Sequence, residues 1–202
     1  MLLVGLTGGI GSGKSTVGRA LVERGAVLVD ADAIVHRLQS PGTAVFAEMV
    51  QRFGEGIVAD DGTLDRAAVA EIVFNDADAL ADLGKIVHPK VHEEIERQVA
   101  AQDGTDNVVV LDIPLLAETG RPGLVGTIVV DLDPDEAVRR LVLYRDFDEA
   151  DARARIGAQA GRSERLEVAD FVVDNSGSPE DLDAEMDRLW DWIGTLEPPA
   201  AD

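Results

Sequence analysis

The sequence predicts an α/β protein: a parallel five-stranded sheet flanked by helices, with an inserted helical subdomain and a helical lid. Three observations predict it. Five short, nearly continuous apolar runs are separated by segments of helical pattern, the signature of strands covered on both faces. A glycine-rich stretch joins the first run to the first helix. Two of the gaps between runs are far longer than one crossover helix needs.

The first strand is expected at 2–7 (LLVGLT), followed by GGIGSGKST and a helix over 15–24 that Gly25 ends. AVLVD at 26–30 reads as the second strand, VVVLD at 108–112 as the third, TIVVD at 127–131 as the fourth and DFVVD at 170–174 as the fifth. The long stretch after Asp30 carries helical pattern interrupted at Pro41-Gly42, Asp61-Gly62 and His88-Pro89, which predicts an inserted helical subdomain. Helices over 134–145 and 149–160 fill the gap before the fifth strand. The last helix is expected to start with Ser178 as N-cap, Pro179 at its first position and Glu180-Asp181 in its first turn. Leu182, Met186, Leu189 and Ile193 then share one apolar face. The tail EPPAAD at 197–202 is expected to fray.

Composition excludes several classes of function. The chain has 202 residues, of which 46% are hydrophobic, so it can bury a core and is too apolar for wholesale disorder. It has no cysteine, which removes disulfide scaffolds and thiolate metal sites. No apolar run approaches the roughly 20 residues that span a bilayer. The N-terminus lacks a basic region and a cleavage site, so no secretory leader and a cytoplasmic location are expected. Lys plus Arg number 18 against 39 Asp plus Glu, a net charge of −21. A charge that negative argues against nucleic acid and anionic membranes as partners.

The charge is unevenly placed. Residues 1–27 and 139–165 each sum to +2, whereas 28–138 sum to −15 and 166–202 to −10. Seven arginines lie in the second island: Arg139, Arg140, Arg145, Arg153, Arg155, Arg162 and Arg165. Solvated helix faces explain any one of them. Together they describe two places suited to meeting negative charge, and arginine suits bidentate phosphate contacts.

Residues Gly8 to Ser15 fit G-x-x-x-x-G-K-[ST] between a strand and a helix, the context that gives the motif its meaning. Gly9, Gly11, Ser12 and Gly13 turn backbone N–H groups around the β- and γ-phosphates of a nucleotide such as ATP. The helix N-terminus at Ser15-Thr16 adds partial positive charge. Lys14 reaches the β/γ-phosphates and the Ser15 hydroxyl is a ligand for Mg²⁺. Asp30-Ala31-Asp32 ends the second strand at the edge where open parallel sheets bind ligands. Asp32 could accept a proton from an attacking hydroxyl, or one of these acids could cap the next helix, the role better suited to Asp30. Asp112 has the position of a Walker-B acid that holds Mg²⁺, and the alternative is a plain loop acid. Ile113-Pro114-Leu115-Leu116 could wall an acceptor. The arginine island fits a lid that neutralises a transferring phosphoryl group and excludes water, with Arg140 and Arg145 first because they lie nearest the fourth strand. His88 stays ambiguous, and His36 and His92 read as structural or surface histidines.

These residues together resemble the dephospho-CoA kinase family. The likeness runs through LTGGIGSGKST at 6–16, DAD at 30–32, PG at 41–42, FG at 53–54, DGTLDR at 61–66, HP at 88–89 and IPLL at 113–116. It continues through Arg155, Ile156 and Gln159 to AD.V.DN.G from Ala169 to Gly177. The resemblance implies a P-loop nucleotide-kinase-like domain that transfers the ATP γ-phosphoryl to the ribose 3′-hydroxyl of dephospho-CoA. Its core would be about 1–32, 105–138 and 169–197, its acceptor-binding insertion about 33–104 and its lid about 139–168. Asp32 would match the general base, and Lys14 with its loop would match ATP binding. Arg140 would match a lid-side arginine acting on phosphates, and Asn175 and Gly177 would lie near adenine. Arg66, His88 and Leu115 join Asp32 as acceptor-binding positions. Some members carry a further C-terminal domain without counterpart here. Another metabolite or nucleoside monophosphate kinase is the same-fold alternative. A nucleotide-dependent switch is the alternative of another class, but two insertions flanking a cleft suit an acceptor site and a lid.

Overall fold

The computed structural model describes residues 1–198. Strand β1 (Leu2–Gly8) leads through the glycine loop to helix α1 (Lys14–Glu23) and strand β2 (Val27–Asp30). Helices α2 (Ala31–Leu38), α3 (Ala44–Phe53), α4 (Arg66–Asn75) and α5 (Ala77–Ala100) follow, with one 3-10 turn at Glu55–Ile57. Strand β3 (Val108–Asp112), helix α6 (Leu116–Thr119), strand β4 (Gly126–Asp131) and helices α7 (Pro134–Arg145), α8 (Glu149–Gly157) and α9 (Arg162–Glu167) come next. Strand β5 (Phe171–Asp174) and helix α10 (Pro179–Ile193) complete the order.

The five strands form one parallel sheet in the order β2-β3-β1-β4-β5, with β1 at its centre. Alternate strand residues explain the core. Val4, Leu6, Val110, Ile128, Val130 and Val173 are buried together with Val17 and Leu21 of α1 and Met186, Leu189 and Ile193 of α10. The expected apolar stripe of the last helix is the one that packs. Its start is built as expected, with Ser178 Oγ accepting from the Asp181 N–H and the Asp181 carboxylate accepting from the Ser178 N–H. Register places Asp30 beside Asp112 and Asp131 beside Asp174, so four strands end on an aspartate at the edge where β1 delivers the glycine loop.

The chain divides into two compact units. Met1–Asp30 and the chain from Gln102 onward hold the sheet and its helices, and Ala31–Ala101 is a helical unit. The helical unit has a core of its own, with Val45, Met49, Ile57, Val69, Val73, Ala79 and Val87 buried among its helices.

Three expectations change. The His88-Pro89 pair does not break a helix, because Pro89 lies inside the 24-residue α5. Proline removes one backbone donor, but packing of Ala79, Val87 and their neighbours along the same helix outweighs that loss. The second lid helix ends at Gly157, and the rest of the expected span is a turn followed by a separate short helix, α9. The Gly161 N–H donates to Glu164 Oε2 at 2.6 Å, which starts α9. Asp32 does not extend the strand edge. It lies in the first turn of α2, one residue beyond the Asp30 that ends β2. Most of the tail expected to fray, 199–202, falls outside the described residues. Among the described residues no helix is long and apolar enough to cross a membrane.

Candidate functional site

The glycine loop ends at the α1 N-terminus with Gly11 at φ 83° and Gly13 at φ 91°, a left-handed region that favours glycine. Ser12 N–H donates to the Gly9 carbonyl at 3.0 Å, and Thr16 N–H to the Gly13 carbonyl at 2.8 Å. Space enforces glycine at position 13 as well as torsion does. A Cβ there would collide with Asn175 Nδ2.

Asn175 follows β5, and its buried side-chain amide donates to the Ser12 carbonyl at 2.7 Å. The Asn175 carbonyl accepts from Arg140 Nη2 at 2.8 Å, and Arg140 Nε donates to Glu136 Oε1 at 3.1 Å. One chain of hydrogen bonds thus runs from the loop through Asn175 to α7. The Glu136 carboxyl is held down to about 2, chiefly by the Arg139 guanidinium, with Arg140 adding to it.

Lys14 is ion-paired through Nζ with Asp112 Oδ1. Both side chains are largely buried, 17% and 4% exposed, so the lysine charge is satisfied inside the loop by the carboxylate at the end of the neighbouring strand.

A cleft of about 480 Å³ opens beside the loop. That size lies within the range of small-molecule sites. Its wall gathers Gly11, Gly13, Ser15 and Thr16 with Arg140, Arg145, Asn175 and Gly177, eight of the positions singled out from sequence. It also holds Arg139 of the arginine island, Leu182 of the last helix and Tyr144, which sequence reasoning passed over. Tyr144 stands four residues after Arg140, so helical spacing was the signal that could have found it. Among the described residues no carboxylate lines this cleft, in a chain whose net charge is −21.

The remaining positions lie elsewhere. Gly9 and Ser12 line a smaller cavity with Ile10, Ile156 and Arg165. Ser12 Oγ is buried there without a hydrogen-bond partner among the described residues. Leu115, just before α6, is 45% exposed. Asp32, Arg66 and His88 belong to the helical unit. Asp32 is exposed and has no hydrogen-bond or ion-pair partner among the described residues. Arg66 donates to Gln39 Oε1 at 2.6 Å and lies 3.0 Å from His36 Nδ1. His88 lines an apolar groove with Val35, Gln39 and Leu83, and Gln39 is also the residue that accepts from Arg66.

Ser15 and Asp112 offer a hydroxyl and a carboxylate, hard oxygen donors that fit Mg²⁺. A magnesium site needs only one or two protein oxygens because substrate phosphates and water complete it.

A family model for dephospho-CoA kinase (CoaE) matches residues 2–181. The dephospho-CoA kinase of Thermobifida fusca is 47% identical over 193 residues, covering 95% of this chain and 96% of its own length. That of Streptomyces avermitilis is 48% identical over 191 residues, covering 94% and 93%. A crystal structure from Thermus thermophilus superposes with a TM-score of 0.80 at 34% identity, covering 95% of this chain and 97% of that one. A dephospho-CoA kinase structure from Campylobacter jejuni gives 0.70 at 25% identity, covering 95% and 96%. With a family model matched over residues 2–181 and relatives 47% and 48% identical over nearly their whole lengths, the chain belongs to the dephospho-CoA kinase family.

Proposed function

We propose that this protein transfers the γ-phosphoryl group of ATP to the ribose 3′-hydroxyl of dephospho-CoA, giving coenzyme A and ADP. The observation that carries the reading is the cleft. In a strongly acidic chain it combines a phosphate loop with three arginines and, among the described residues, no acid. The family match supports the choice of acceptor.

The backbone N–H groups of Gly11, Gly13 and Lys14 hold the β- and γ-phosphates. The Gly177 end of the cleft takes the base, and Arg140 and Arg145 hold phosphate oxygens from α7. Lys14 exchanges its Asp112 partner for phosphate oxygens, and Asp112 and Ser15 are the residues that would hold Mg²⁺. When bound, that ion offsets charge on the β- and γ-phosphates. Asp32 takes the 3′-hydroxyl proton on a carboxylate oxygen. The 3′ oxygen bonds to the γ-phosphorus as the bond to the β–γ bridging oxygen breaks, and ADP leaves with that electron pair. Arg66, His88 and Leu115 contact the acceptor.

The test supplies ATP, Mg²⁺ and dephospho-CoA and follows ADP and coenzyme A, which should form one to one. Turnover with AMP or shikimate, and none with dephospho-CoA, would make this another metabolite kinase.

A further inference from the structure

The seven arginines between 139 and 165 stop being equivalent once their partners are known. Arg139 and Arg140 meet Glu136, Arg153 meets Asp135 and Glu149, and Arg162 meets Asp131. Arg155 stacks over Phe147 at 5.1 Å, and Arg145 lines the cleft.

Arg165 differs from all of these. It is only 9% exposed, and the one hydrogen bond its side chain makes among the described residues is from Nη1 to the Ala160 carbonyl. It has no carboxylate partner among them. A guanidinium carries five N–H donors, and a buried charge without a counter-charge is unfavourable. Its head rests on the phosphate loop, because a Cβ on Gly9 would come 2.9 Å from Nη2 and 3.1 Å from Cζ. The same stretch of chain grips the loop again. Gln159 Oε1 accepts the Ile10 N–H at 2.8 Å, and Glu118 Oε1 holds the Ala160 N–H at 2.8 Å.

We infer that Arg165 is a further catalytic residue, the missing counter-charge being the γ-phosphoryl group in transit. Gln159 is the positioning residue that keeps the Ile10 turn in register with it. The inference rests on the ATP-dependent reading above. Donors that Ala160 does not use meet the equatorial phosphoryl oxygens as charge shifts during transfer, where a preorganised cation acts most strongly. Arg165 neither gives nor takes a proton.

The test uses the full-length chain with Arg165→Met and Arg165→Lys. Binding of ADP and of a non-hydrolysable ATP analogue is measured by calorimetry, and turnover with ATP and dephospho-CoA in parallel. Wild-type turnover checks the underlying reading separately, since its absence sinks that reading whatever the variants do. For Arg165→Met, kcat should fall by about 10²–10³. Its affinity for the ATP analogue should drop at least about tenfold more than its affinity for ADP, a selective loss of binding to the third phosphate. Arg165→Lys should recover part of both. Gln159→Leu should weaken ADP and ATP analogue alike, by about tenfold, since it disturbs the loop and not one phosphate. Equal losses of ADP and ATP-analogue binding in Arg165→Met, or a kcat within about threefold of wild type, would overturn the assignment. So would failure of both Arg165 variants to fold, because the cation would then be structural.

Discussion

At the scale of single residues, the phosphate loop is held by groups that leave each other no room. Gly13 needs a positive φ and also the space taken by the Asn175 amide. Gly13→Ala should therefore cost about 1–3 kcal/mol and abolish tight ADP binding, read by thermal melting and calorimetry. Adding Asn175→Ala removes the clash but not the torsional strain. The double variant should be less destabilised than the sum of the singles, a coupling a double-mutant cycle measures. Asp32 makes a different prediction, because its exposed carboxylate supports no other group. Asp32→Asn should lower kcat by about 10²–10⁴ with an unchanged melting temperature and ATP affinity. Activity near wild type would leave Asp32 only a place in the first turn of α2.

At the scale of elements, the strands and first helix were legible because their information is local. An apolar run between turn residues, or a glycine loop before a helix, reads the same in isolation and in the fold. Helix α5 was not legible for the opposite reason. Pro89 is a strong local stop signal, overridden by the packing of residues on both sides of it. Both Pro89 and Lys85 are exposed, so Pro89→Ala would restore a backbone donor toward the Lys85 carbonyl at a site open to solvent. It should raise stability by about 1–2 kcal/mol, seen as a higher melting temperature. A lower melting temperature would mean that the proline ring itself packs against something important. The stretch from Gln159 to Arg165 is not legible for a third reason. Its meaning lies in bonds to the loop some 149 residues earlier in the chain, and no window of sequence contains both partners.

At the scale of the whole molecule, charge governs the response to salt and pH. A net charge of −21 makes the folded state repel itself. Moderate salt should raise the melting temperature while weakening nucleotide binding, since both are electrostatic. Glu94 and Glu136 are held at about 2, Glu94 chiefly by Arg97 and Glu136 chiefly by Arg139. A depressed carboxyl stabilises the fold above its unfolded value near 4.5 and loses that contribution as pH falls toward 2. From pH 7 toward the isoelectric point near 4.3 the repulsion fades first. Stability should therefore peak near pH 5 and decline below it, and a melting series across pH tests the sign. Both carboxyls are half-buried, but their Arg97 and Arg139 partners are exposed to solvent, so screening should keep the decline shallow.

The sequence by itself determined the sheet, the phosphate loop, the apolar stripe of α10 and the family, because each is written in short patterns that hold in any context. It also located the arginine island. Only the tertiary structure decided which arginine does what. Six of the seven find a carboxylate, an aromatic ring or the cleft wall, and Arg165 is buried on the loop without a counter-charge. That difference arises because burial and pairing depend on which distant residues the fold brings together. Residue type and local spacing are the same for an arginine that is spent on a surface acid and for one kept for a phosphate.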